Sequence, residues 1–322
     1  MSRTLNITAV LVLALASLPA LGGRASGQDF KSARATNDGS ENVTLLVTVH
    51  PKGGRTLPDI RSEDFTVLEN GRKQTVVSVR TPGQAPINLA VLIQDDVISR
   101  VGNEIKAIKQ FILALPPDSR VMVGYITAGS LQVRQAFTND LKRGADGLRL
   151  PYGSASGTPY NPYVEVLEAL KKFDDQPSAR NEILLVSDGL DTSRGFRSAS
   201  PYMSIDLDRA IKEAQRRGVA VFTIYAPTVG LTSSSHLATN YGQGSLSRLA
   251  DETGGEAFFQ GTSFVTFDPH LREYKELLTH QWLITYKSDN ADSHSRKVEV
   301  KLDSPGVEVY HQVLVPGRKR AD

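Results

Sequence analysis

The chain has 322 residues, 40% of them hydrophobic and 22% charged, with 37 basic against 35 acidic side chains and no cysteine. That length supports one large core or two modest ones, and 26 glycines and 16 prolines spread through an ordinary composition exclude a collagenous chain or a disordered polyelectrolyte. The missing cysteines exclude disulfide scaffolds, zinc ribbons, iron–sulfur clusters and thiol nucleophiles, and the six histidines include no i, i+4 pair, so any metal must be held by oxygen.

Residues 1–27 read as a secretory signal. Arg3 is the basic start, and the apolar run from Ile7 to Leu18 is, at about a dozen residues, short for a membrane span. Cleavage is expected after Gly27, with Ala20 as a second position and an uncut N-terminal anchor as the alternative. Loss of residues 1–27 removes Arg3 and Arg24 and no acid, leaving 35 basic and 35 acidic groups. The mature chain is then formally neutral, which gives no support for long-range attraction to nucleic acid or anionic lipid. Its expected location is secreted or periplasmic, with no transmembrane span in the mature chain.

A polar leader, 28–42, is followed by alternation typical of half-buried strands: Val43, Leu45, Val47 and Val49 share one face. Phe65 and Val67 precede Asn70-Gly71, a hairpin signal because both residues tolerate the positive φ of a type I′ turn, and Val76 and Val79 follow. From Pro86 the pattern becomes strand, helix, strand. Leu89–Gln94 is a continuous run suited to a parallel strand buried on both faces. Ile105, Ile108, Phe111, Ile112 and Leu115 recur at helical spacing and stop at Pro116-Pro117. Val121–Ile126 is a strand and Val133–Phe137 a shorter edge strand. Tyr163, Val166, Leu167 and Leu170 form a helical stripe, Ile183–Val186 a buried strand, Ile205, Ala210, Ile211 and Ala214 a helix, and Val219–Ile224 a strand. Leu246, Leu249 and Ala250, then Gly254-Gly255 and Phe258-Phe259, read as helix, glycine stop and strand. From Trp282 alternation returns, through Val298, Val300 and Leu302, a Ser304-Pro305-Gly306 turn, and Val307 and Val309.

The expected fold class is α/β: a doubly wound, mainly parallel, Rossmann-like sheet inserted in, or flanked by, a small all-β sandwich-like domain. The N-terminal β segment, 43–84, is expected to pair with the C-terminal one, 282–316, around an α/β domain at 85–281, with a basic tail at 317–322; two separate β appendages are the alternative. Neither β segment is long enough to be stable alone.

In such a sheet ligands bind beyond the carboxyl ends of the strands. There the sequence offers Asp95-Asp96-Val97-Ile98-Ser99, a later loop with Ser156-Gly157-Thr158-Pro159, and Ser187-Asp188-Gly189-Leu190-Asp191. Carboxylates and hydroxyls at one edge make an all-oxygen site suited to Mg²⁺ or another hard divalent cation.

On these residues the chain resembles the von Willebrand factor A domain, in particular exported bacterial forms with β segments on either side. The resemblance covers roughly 43–316 and is strongest over 87–261. It implies a metal-ion-dependent adhesion site, Asp-x-Ser-x-Ser after the first strand, a threonine in a later loop and an aspartate after the fourth strand. The matching positions are Asp95, Val97, Ser99, Thr158 and Asp188, and Val97 departs from the pattern. A valine coordinates nothing, so the site either binds its cation with Asp96 or water in that place or is a degenerate, metal-free scaffold.

The function implied is a non-catalytic, adhesion-type module that binds a protein or cell-envelope component. The alternatives are an exported metal-dependent hydrolase, with Asp96 or Asp191 as base, and a metal-independent assembly module. Other motifs give less. Asp188 lies 93 residues past Asp95, too far for a phosphoacceptor receiver pair. Ala155 occupies the serine position of a nucleophile elbow. Gly242-Gln243-Gly244 lacks the third glycine of a dinucleotide fingerprint and reads as the start of a helix. Thr232–Ser235 reads as a surface loop on the same edge as the candidate site, placed to line a ligand surface, and Arg318-Lys319-Arg320 as a solvated terminus.

Overall fold

The computed structural model describes residues 41–54, 56–153, 160–177, 179–259, 261, 264–289 and 295–316. The signal segment, Thr158 and the basic tail lie outside them. In chain order the first strands are β1 (Glu41–Pro51), β2 (Phe65–Glu69), β3 (Arg72–Lys73) and β4 (Thr75–Arg80). Asn70 (φ 48°) and Gly71 (φ 78°) turn β2 into β3, the conformation an Asn-Gly hairpin requires.

The α/β part contributes β5 (Ile87–Gln94), α1 (Ile105–Leu113), β6 (Arg120–Thr127), β7 (Ser130–Thr138), α2 (Leu141–Asp146), α3 (Pro162–Leu170), β8 (Arg180–Ser187), α4 (Ile205–Arg217), β9 (Val219–Tyr225), α5 (Leu231–Ser234), α6 (His236–Thr253), β10 (Ala257–Phe258) and α7 (Phe267–Leu278). Its sheet runs β10-β9-β8-β5-β6-β7, parallel throughout except for the antiparallel edge strand β7. Because side chains alternate along a strand, Leu89, Val91 and Ile93 pack into one layer with Ile108, Ile112 and Leu271, from α1 and α7. Ala90 and Leu92 face the other layer, with Val166, Ala210 and Leu246 of α3, α4 and α6. This is a doubly wound α/β fold.

Two elements have less obvious signatures. The stripe Phe267, Leu271, Tyr274, Leu277 and Leu278 makes α7, and Pro269 lies in its first turn, where no intrahelical N–H is lost. Gly242-Gln243-Gly244 lies inside α6 rather than at its start. Gly242 is there because the helix presses against the end of β8: a Cβ on it would stand 1.9 Å from the Asp188 carbonyl oxygen.

The last strands are β11 (Gln281–Ser288), β12 (Ser295–Leu302), β13 (Val307–His311) and β14 (Leu314–Pro316). They and the first four form two antiparallel sheets, β13-β1-β11-β4 and β14-β12-β2-β3. Leu45, Val47, Trp282 and Ile284 from one sheet close a single core with Phe65, Val67, Val298 and Val300 from the other. β1 pairs with β11 from Glu41↔Ser288 to Thr48↔Gln281, and β2 with β12 from Phe65↔Leu302 to Glu69↔Val298.

Candidate functional site

Three loops are laced together at the carboxyl edge of the parallel sheet. The segment after β5 takes hydrogen bonds along its backbone: Asp95 N–H donates to Ile126 O (2.9 Å), Ile98 N–H to Pro227 O (2.9 Å), Val229 N–H to Asp96 O (2.9 Å) and Gly153 N–H to Asp95 O (3.0 Å). Residues 95–98 therefore run between the loop after β9 and the loop that carries Gly153. β8 joins through Ala226 N–H to Ser187 O (2.9 Å).

Asp95 is buried and both its oxygens are taken by one side chain. Arg149 donates Nη1–H to Oδ1 and Nη2–H to Oδ2, each at 2.7 Å, a bidentate fork. Tyr152 N–H adds a third bond to Oδ1 (3.0 Å). The guanidinium lies between two rings, 4.0 Å from the centroid of buried Tyr125 and 4.1 Å from that of Tyr152. The Tyr125 hydroxyl donates to Arg149 O and accepts from Arg149 N–H, so it clips the backbone at this residue. The hydrogen bond to Asp95 raises the Arg149 pKa further above its ordinary value, against the opposing effect of partial burial.

Asp188 is also satisfied from within. Its Oδ1 accepts from Leu190 N–H (3.1 Å), and its Oδ2 from the hydroxyls of Thr228 (2.7 Å) and Thr232 (3.1 Å). Burial pushes its pKa up, and these hydrogen bonds pull against it. Gln94 connects the two strand ends: its Oε1 accepts from Ser187 Oγ (2.5 Å) and its Nε2 donates to Asp96 Oδ1 (3.0 Å). Burial, followed by the neighbouring Asp188 charge, pushes the Asp96 carboxyl up to about 7. Asp191 braces its own loop, accepting from Ser193 N–H (3.0 Å) and Oγ (2.6 Å) and from Ser204 Oγ (2.7 Å), the N-cap of α4.

Of the residues expected to hold a cation, Asp95 and Asp188 stand at the ends of adjacent strands, Ser99 is exposed at the start of a 3-10 turn, and Thr158 is outside the described residues. Val97 is fully buried in the core, and its backbone bridges to Thr228. A divalent ion needs open oxygen lone pairs at about 2.0–2.6 Å; here each Asp95 oxygen receives an N–H and a cation already sits beside it. Among the described residues no group of three or more His, Asp or Glu side chains is placed to hold a metal. Among the described residues, the donors in this arrangement do not fit a resident divalent cation.

Arg149, Thr228, Thr232 and Gln94 carry this network; the sequence marked Gln94 only as a strand end and Thr232 only as part of a loop at this edge, and marked neither Arg149 nor Thr228. Thr232, expected in a surface loop, is buried against Asp188. The four-residue spacing of Thr228 and Thr232 around Gly230 is the one local hint. Arg149 has none, because the fork depends on how the 149–153 loop returns to β5.

Above this network the edge is apolar. Leu150, Tyr152, Val229 and Leu231 are 65%, 70%, 38% and 47% exposed. The first two stand on the loop bonded to Asp95 and the other two follow the Thr228 bridge.

No protein-family profile matches the chain, and no curated protein matches it. Several solved structures are similar at low identity. An aerotolerance-related membrane protein from Bacteroides fragilis is 12% identical, covering 60% of this chain and 98% of its own, with a TM-score of 0.43. A von Willebrand factor type A protein from Catenulispora acidiphila is 13% identical over 87% of this chain and 74% of its own, with a TM-score of 0.41. The manganese-loaded TRAP protein of Plasmodium vivax is 13% identical over 77% of this chain and 97% of its own, with a TM-score of 0.41. Among the described residues no helix is long and apolar enough to cross a membrane.

Proposed function

We propose that the protein is an exported, non-catalytic interaction module of the von Willebrand factor A type. The carboxyl edge of its parallel sheet, around Asp95, Ser99, Thr158 and Asp188, engages another protein or a cell-envelope component. Residues 1–27 direct export to a secreted or periplasmic location, and the β segments 43–84 and 282–316 form the lobe that carries the α/β domain, 85–281. The observation that supports this reading is the fringe of Leu150, Tyr152, Val229 and Leu231 over carboxylates already satisfied by the protein itself. Exposed aromatic and aliphatic side chains on a rigid polar support suit a protein partner, and the Asp95 and Asp188 carboxylates beneath them are engaged by the protein's own donors.

A photo-reactive amino acid at Tyr152 or Leu231, compared with one at Leu113 on the opposite end of the α/β layer, tests the reading in intact cells. Leu113 is itself exposed and closes α1. The expected result is one discrete adduct from positions 152 and 231 and none from 113. Equal labelling from all three positions, or labelling from 113 alone, counts against the edge as the interface.

A further inference from the structure

We propose that Arg149 is an internal cation that takes the place of a divalent metal at this edge, so that the edge works without metal and its guanidinium keeps metal out. The inference rests on reading the edge as a von Willebrand A-type interaction surface and states how its charge is balanced.

Three features of the geometry carry it. First, the fork is complete: two parallel N–H···O bonds of 2.7 Å leave neither Asp95 oxygen without a donor, and Tyr152 N–H supplies one more. An ion entering at metal–oxygen distance would have to displace an Nη group and then lie beside a positive charge. Second, the guanidinium is held rather than placed by chance. Tyr125 and Tyr152 cover its faces, Nη1 also donates to Leu150 O (2.9 Å), and Tyr125 clips the backbone of the same residue. A planar delocalised cation suits this slot, and an ammonium does not. Third, position 97, where the resembled pattern has a serine ligand, is core: Val97 is 0% exposed and packs among the apolar side chains of the α1 layer. Position 97 thus offers no ligand, and Arg149 supplies the positive charge beside Asp95.

A consequence concerns the partner. Without an open coordination position, an acidic side chain of the partner gains nothing from this edge. Contact falls instead to the exposed ring of Tyr152, already stacked on Arg149, and to the aliphatic residues beside it.

The test is calorimetric titration of Mn²⁺ and Mg²⁺ into the mature protein and into Arg149→Met and Arg149→Met/Val97→Ser variants. Thermal melts with and without Mn²⁺ are run on each. The wild type is expected to show no saturable binding and no shift in melting temperature. The double variant is expected to gain saturable Mn²⁺ binding at or below about millimolar concentration, lost again when Asp188→Ala is added. Saturable binding by the wild type that Asp95→Asn abolishes overturns the proposal. So does a folded double variant, judged by its melt, that gains less than about tenfold in Mn²⁺ affinity. Should the variants not fold, the wild-type titration and melts decide alone: a Mn²⁺-induced stabilisation refutes the proposal and its absence upholds it. Cross-linking reports on the partner and titration on the cation, so either reading can fail without the other.

Discussion

The two ends of the parallel sheet each hold an arginine, buried at the amino end and partly exposed at the carboxyl end, and the two have different acceptors. At the amino end Arg180, 1% exposed, donates to Ala85 O (3.1 Å), Leu278 O (2.5 Å) and Gln281 Oε1 (2.9 Å). Ala85 precedes β5, Leu278 ends α7 and Gln281 opens β11, so one side chain ties both chain crossings between the α/β sheet and the antiparallel strands. At the carboxyl end Arg149 binds a carboxylate, and the ring of one of its tyrosines is open to solvent. A guanidinium among backbone carbonyls is a structural pin. A guanidinium paired with a carboxylate and capped by an exposed ring also presents a surface.

That contrast is broken first by removing each cation. Arg180→Met strands three acceptors and is expected to lower unfolding free energy by about 3–5 kcal/mol, read from the denaturant midpoint. Arg149→Met leaves buried Asp95 with one backbone donor, but Arg149 is itself partly exposed, so water reaches the vacated slot and about 1–2 kcal/mol is expected. Equal losses would show that both arginines are pins. Between these effects lies Gly242→Ala at the carboxyl end, where the added Cβ collides with the Asp188 carbonyl; about 2–3 kcal/mol is expected, with weakened protection of the Asp188 loop from hydrogen exchange.

The amino end also carries a proton. Buried Glu182 accepts the Tyr274 hydroxyl (2.6 Å), and burial pushes its carboxyl up to about 7, against the opposing charge of Arg180. A folded-state pKa above the unfolded value means that the native state holds a proton the unfolded chain has released. Stability therefore falls as pH rises from about 4.5 to 7, by at most about 3 kcal/mol for this group. Glu182→Gln should make that slope shallower, the rest coming from Asp96, Glu165 and Glu256, whose carboxyls burial also pushes up to about 7; an unchanged slope would assign it to those groups alone. The smallest effect expected is that of Val97→Ser alone, about 1 kcal/mol from a hydroxyl placed in the core, with no gain in metal affinity while Arg149 remains.

Much of the α/β order was legible because burial on both faces makes parallel strands continuous apolar runs: Leu89–Gln94 and Ile183–Val186 both fall in strands buried along their length. The edge strand β7 was legible as an edge from its weaker apolar pattern, but not in its length: it runs from Ser130 to Thr138, nine residues rather than the short Val133–Phe137, because an edge strand can extend through polar residues that face solvent. Of the candidate site, the strand-end carboxylates Asp95 and Asp188 were visible because a hydrophobic run stops at each. Their partners were not. Arg149 lies 54 residues from Asp95, and Thr228 40 residues from Asp188, and nothing in the local pattern marks either pair. Gly242 was misplaced at a helix start because a glycine pair signals flexible backbone locally, whereas close approach of a helix to a strand end is invisible until both are packed.

By itself the sequence determined the periodicities, hence the doubly wound layer and the antiparallel strands at either end, because burial of one or two faces writes itself into neighbouring residues. It also placed carboxylates at the strand ends and a valine where a hydroxyl was expected. Only the tertiary structure decided which donors meet those carboxylates, hydroxyls at Asp188 and a cation at Asp95. That choice depends on which distant loop folds back to the edge, and here the loop brings a guanidinium.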